Sequence, residues 1–248
     1  GNKLLSVGRD TSLRMWDLTT GNELWYATPS AAYPRADSNA MQQGWGPFIL
    51  GPNSPYIYAV HKSDHGQPLS LVVLDPLSLA TRTQLPISLG GTPHVSGYLG
   101  RSTTISGDGT AIAFALRRVG MFFQKDGGKI RAIDHGGGTY NQEPVSLTLD
   151  PSGATLACIF RGVMPVTMIS TLDSSPIALP GAPEDCHSIA FSEDGESFAA
   201  ATAQSLLLWK KGWQLEHTVN LKQPSRQVKW AGDLSHAIVV NLDHTVSI

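Results

Sequence analysis

Two cysteines, Cys158 and Cys186, are the only thiols in 248 residues. Two thiols build neither a disulfide framework nor a four-cysteine zinc site, and they fit a reducing compartment. Charge is scarce as well: Asp, Glu, Lys and Arg make up 15% of the chain, against roughly 25% in an average soluble domain. Its signs nearly cancel, with 18 Lys and Arg against 20 Asp and Glu, a formal net charge of -2. A protein that coats nucleic acid or a polybasic membrane-surface protein would carry a clear positive excess, so the balance argues against both, and no direct nucleic-acid partner is expected. No apolar run approaches the 18 residues of a bilayer-spanning helix. With so few thiols and no Asn-x-Ser/Thr acceptor, an intracellular location, cytoplasmic or nuclear, is the expectation.

What the chain has in abundance is punctuation. Its 25 glycines and 16 prolines amount to about one residue in six, which leaves little room for helices of ~10 or more residues. Hydrophobic residues at 41% still suffice for a sizeable core. The composition predicts an all-β chain of short strands and tight turns.

Those turns recur. Thr103–Ser106 runs into Gly107-Asp108-Gly109, and Ser146–Leu149 into Asp150-Pro151-Ser152-Gly153. Ser188–Ser192 runs into Glu193-Asp194-Gly195, and Gln227–Trp230 into Gly232-Asp233. The apolar anchors Ile105, Leu149, Phe191 and Trp230 stand 44, 42 and 39 residues apart. An apolar strand follows each acidic turn, then a third strand and usually a fourth before a Pro- or Gly-bearing connection. A four-strand cassette repeated about every 40 residues predicts a β-propeller, whereas a β-sandwich repeats turns but not whole cassettes. The cassettes fall at residues 1–28, 45–87, 99–135, 144–180, 186–220 and 225–248, about six blades with incomplete terminal ones. The two ends supply the same middle strands, so the chain is expected to be an excerpt of a larger protein, part of a seven-bladed ring.

The segment Leu4-Leu5-Ser6-Val7-Gly8-Arg9-Asp10-Thr11-Ser12-Leu13-Arg14-Met15-Trp16-Asp17-Leu18-Thr19-Thr20-Gly21 resembles the second half of a WD repeat. His187–Leu221 is similar to a WD repeat with Trp209 in place and Lys210 replacing the Asp. The resemblance implies that Ser6, Asp10 and Trp16 belong to a hydrogen-bond network that pins a blade. It also marks Asp17 and Trp209 as repeat positions rather than chemistry.

Catalytic constellations are missing. There is no Gly-x-Ser-x-Gly elbow, no phosphate-binding loop with Lys-Ser/Thr and no His-Glu-x-x-His. Gly136-Gly137-Gly138 has no lysine after it and reads as a connection. His61, Asp64 and His65 crowd one loop, but a metal needs three or four ligands on a rigid frame. Neither a metal nor a cofactor is expected. Cys158 lies in an apolar strand and reads as an inert buried thiol.

Sorting charges by connection is more informative. In a propeller, the second-to-third-strand loops share one face with the blade-to-blade connections, and the remaining turns occupy the other. The first face receives Arg9, His61, Lys62, His65, Arg117, Arg118, Arg161 and His244, against Asp10, Asp64 and Asp243, while Lys125, Lys129, Lys210 and Lys211 dilute the acidity of the second. The second receives Asp17, Asp75, Asp108, Asp126, Asp150, Asp173, Glu193, Asp194, Glu196 and Asp233. The long connection ending near Trp45 and the one holding Tyr140 put aromatics on the basic face; Trp45 reads equally as the start of a core strand. Arginine suits bidentate contact with carboxylate or phosphate, and exposed Trp, Tyr and Arg are common interface anchors.

The expectation is a non-catalytic protein-interaction scaffold within a larger assembly. It docks an acidic or phosphorylated segment of another protein through Arg9, Lys62, Arg117, Arg118, Arg161, Trp45 and Tyr140. Two alternatives stand beside it. One is a propeller enzyme of lactonase-like or quinoprotein-like type, since turns such as Asp150–Gly153 resemble theirs. The other is a phosphoinositide-binding propeller, to whose arginine-pair signature Leu116-Arg117-Arg118-Val119-Gly120 is similar, with Val119 interrupting it.

Overall fold

A computed structural model describes residues 2–7, 13–27, 44–50, 56–62, 70–75, 81–87, 103–115, 119–123, 129–133, 144–160, 165–231 and 236–247. Among these the chain is all-β, without a helix. It divides into two compact units, Gly1–Ser88 and Leu89–Ile248.

The first unit holds a three-stranded sheet, β1 (Lys3–Val7), β2 (Leu13–Asp17) and β3 (Glu23–Ala27), in chain order. Its second sheet is β4 (Gly44–Leu50), β5 (Ile57–Lys62), β6 (Ser70–Leu74) and β7 (Thr81–Pro86). In the second unit come β8 (Thr103–Ile105), β9 (Ala111–Ala115), β10 (Val119–Phe123) and β11 (Lys129–Ile133). They are followed by β12 (Pro144–Leu149), β13 (Thr155–Phe160), β14 (Thr167–Ser170) and β15 (Pro176–Ile177). A fourth-strand edge also closes β16 (Ser188–Phe191), β17 (Ser197–Ala201), β18 (Ser205–Lys210) and β19 (Gln214–Asn220). The last sheet is β20 (Ser225–Trp230), β21 (Ala237–Asn241) and β22 (Val246–Ser247). Every pairing is antiparallel between consecutive strands, so each sheet is a meander built from local turns.

Hydropathy along each cassette explains the burial. Second strands are apolar at every position or nearly so: Ala111–Phe114 in β9, Leu156–Phe160 in β13 and all of β17 are buried on both faces. A strand covered on both sides has no reason to alternate. Fourth strands reverse this, and β19 (QLEHTVN) is exposed at all seven positions. The core of the second unit therefore lies in the seams between successive sheets. Ala111 and Ala113 pack with Leu147, Leu149, Leu156, Cys158 and Phe160 in one cluster. Ala157, Ile159 and Met168 meet Ile189, Phe191, Phe198 and Trp209 in the next. Ala199, Ala201 and Leu206 meet Val228 and Val239 in the third. Each fully buried aliphatic side chain contributes roughly 1.5–3 kcal/mol, and alanines on one wall let the opposite strand approach closely.

The β2–β3 and β14–β15 turns share a left-handed position. Gly21 takes it in the β2–β3 turn, with φ of 72° and its N–H on the Asp17 carbonyl at 2.8 Å. Ser174 takes it in the β14–β15 turn, with φ of 62° and its N–H on the Ser170 carbonyl at 3.0 Å. A side chain there costs about 1–2 kcal/mol that glycine avoids, offset in part by glycine's unfolded-state entropy. Ser174→Gly is accordingly expected to stabilise the protein by up to about 1 kcal/mol, read as a rise in thermal midpoint; a fall would show that Ser174 has a role beyond its backbone.

Candidate functional site

One end of the strands is explained by folding chemistry. In the β8–β9 turn, Ser106 Oγ donates to Asp108 Oδ1 at 2.6 Å and accepts the Ala111 N–H at 3.0 Å. Asp108 Oδ1 also receives the Thr110 N–H at 3.0 Å and hydroxyl at 2.8 Å. The β16–β17 turn repeats this arrangement: Ser192 Oγ donates to Asp194 Oδ1 at 2.6 Å and accepts the Ser197 N–H at 2.9 Å. In the β12–β13 turn the carboxylate of Asp150 stands at the serine position and takes the Thr155 N–H directly, at 2.9 Å. Small, short-range acceptors of this kind are what Asp and Ser supply in tight turns.

These turns also touch one another. The Asp108 N–H donates to the Pro151 carbonyl at 3.1 Å. A methyl group built on Gly107 or Gly195 would stand 3.1 Å from Pro151, so its ring is wedged between two glycines.

Several other carboxylates of these turns are similarly engaged, while Glu193 is exposed. Asp17 accepts the Thr19 and Thr20 N–H groups at 2.7 and 3.2 Å. Asp173 accepts the Ser175 hydroxyl and N–H, which together hold its pKa down at about 2. Hydrogen bonds from Ser192 and the Glu196 N–H lower that of Asp194. Glu196 pairs with Lys211, and Asp75 with Arg82 at 2.6 Å. Asp126 and Asp233 lie outside the described residues.

Of the residues expected to bind a partner, only Trp45 and Lys62 lie within described strands. Arg9, Asp10, Arg117, Arg118, Tyr140 and Arg161 lie outside the described residues. In sequence, Arg117 and Arg118 separate β9 from β10, and Arg161 follows the last residue of β13. These are equivalent connections in two successive sheets whose strands β8, β9 and β12 pack together. The backbones of Trp45 and Lys62 belong to β4 and β5, where Trp45 pairs with His61 and Lys62 with Gly44. The strand reading of Trp45 therefore describes its backbone.

Ser6 and Trp16 come together: the Trp16 indole Nε1–H donates to Ser6 Oγ at 2.8 Å across β1 and β2. Trp209 is fully buried, yet its indole donates to the Pro180 carbonyl at 2.8 Å, in the connection between two sheets. Ala199, ten residues before Trp209 as Ser6 is before Trp16, offers no hydroxyl. The same residue type thus ties strand to strand in one cassette and sheet to connection in another.

A polar seam between the last two sheets was not legible in the sequence. Ser225, 3% exposed, donates its hydroxyl to the Thr202 carbonyl at 2.7 Å and lies 3.0 Å from His187 Nε2. Since the only hydroxyl proton goes to Thr202, Nε2 must be the donor to Ser225, which assigns neutral His187 as the Nε2–H tautomer. The Val228 N–H reaches Ser188 Oγ at 3.0 Å, and the Trp230 indole reaches the Ala190 carbonyl at 3.1 Å. Ser225 is a seam residue and not a nucleophile, because its hydroxyl is buried and already donated.

Burial lowers the His187 pKa, partly opposed by Asp185. A depressed folded-state value means that the unfolded chain takes up the proton first as pH falls. Stability is therefore fully present above the unfolded value of about 6.5 and declines below it. His187 is partly exposed, so the decline is modest. Urea midpoints measured from pH 7.5 to 5.0 are expected to fall, and to fall less in His187→Gln. An unaltered pH profile in that variant would assign the titration to another group.

Burial also raises both thiols, Cys186 to about 12 and Cys158 further, so neither is a thiolate at neutral pH. Among the described residues no group of three His, Cys, Asp or Glu side chains is placed to hold a metal, and no helix is long and apolar enough to cross a membrane. No protein-family model matches the chain, and no curated protein does.

Proposed function

We propose that the sheets are blades of a WD-repeat-like β-propeller, part of a seven-bladed ring. It serves as a non-catalytic docking module for an acidic or phosphorylated segment of a partner protein. The residues proposed to contact that segment are Arg9, Lys62, Arg117, Arg118, Arg161, Trp45 and Tyr140. The fold part of this reading is supported by repeated four-stranded meanders, packed in series within the second unit, and by the Trp16–Ser6 hydrogen bond that the WD resemblance implies. Fold alone does not assign function.

The observation that carries the functional part is the contrast between the two strand ends. Asp17, Asp108, Asp150, Asp173 and Asp194 at the turn end are held by donors of their own turns, so folding accounts for their presence there. The tight-turn geometry that calls for Asp and Ser does not call for arginine in the second-to-third-strand connections. Arginines at equivalent places in neighbouring sheets concentrate positive potential, which steers and orients an anionic partner.

Replacing Arg117, Arg118 and Arg161 together by Glu is expected to leave the thermal midpoint and circular dichroism unchanged. Loss of a selective set of proteins from affinity capture should accompany the change, with affinity for those proteins reduced about tenfold or more. Capture of the same set at the same affinity would overturn the assignment of this end. Binding to phosphoinositide vesicles, abolished by the same variant, would replace the protein partner with a lipid headgroup.

A further inference from the structure

We draw no further inference here: the strongest candidate, the outward face of the β20–β22 sheet, where Ile238 and Val240 stand only half-covered while Val239 on the other face is buried, carries nothing because nothing in the structure shows what covers it.

Discussion

Trp209→Ala is expected to remove about 3–5 kcal/mol of stability, the usual cost of emptying a large buried aromatic site. That is a large share of the 5–15 kcal/mol a native domain typically holds. Three losses combine. The indole is fully buried, it packs on Phe198 at 5.8 Å between ring centroids, and it supplies the N–H that satisfies the Pro180 carbonyl. Alanine leaves a cavity between two sheets and a carbonyl without its donor. Trp209→Phe separates the contributions, since it retains most of the packing and loses only the hydrogen bond, for about 1–2 kcal/mol. Urea unfolding followed by far-UV circular dichroism reads both variants. A loss below about 1 kcal/mol for alanine would mean that the seam collapses around the gap.

Gly153→Ala is expected to cost about 3 kcal/mol, from two sources that a second glycine can divide. At φ of 75° an alanine meets the left-handed penalty of roughly 1–2 kcal/mol. Its methyl would also lie 2.7 Å from the Ala111 Cβ on the neighbouring sheet, so one turn must move, and overpacking of that kind costs about 1–3 kcal/mol. Gly21 has nearly the same φ, 72°, with nothing near the added methyl. Gly21→Ala should therefore show the conformational penalty alone, roughly 1–2 kcal/mol. Thermal denaturation of the two variants side by side gives the difference as the cost of crowding. Equal losses would show that the turns separate without resistance.

Local chemistry made much of this fold readable from residues alone. Asp108-Gly109, Ser152-Gly153 and Asp194-Gly195 announce turns because few other residue pairs satisfy both the backbone donors and the positive φ. Runs such as Phe198–Ala201 announce buried strands because polar residues would be stranded there. Contacts that join residues distant in sequence left no such mark. His187 and Ser225 are 38 residues apart, and neither sits in a pattern that singles it out. Trp209 looked equivalent to Trp16 because the residue matched, whereas its acceptor is a backbone carbonyl 29 residues away that any sequence would provide. Ser174 occupies a glycine position without the glycine that would have signalled it. The arginines proposed for docking are legible only as charge between strands, where the sequence offers no periodicity from which to infer where a side chain goes.

The three stacked turns spell SGDGTA, DPSGAT and SEDGES, which share few letters at matching places. Their grammar is nonetheless common. The first residue provides an oxygen two or three bonds from Cα that takes the amide five residues on, and a glycine takes the left-handed corner three residues on. Hydroxyl and carboxylate are synonyms for that oxygen. Such a repeat can differ in residue identity without losing its shape, because the turn requires an acceptor at that place and not one particular side chain. The likeness among the three turns thus lies in geometry more than in letters.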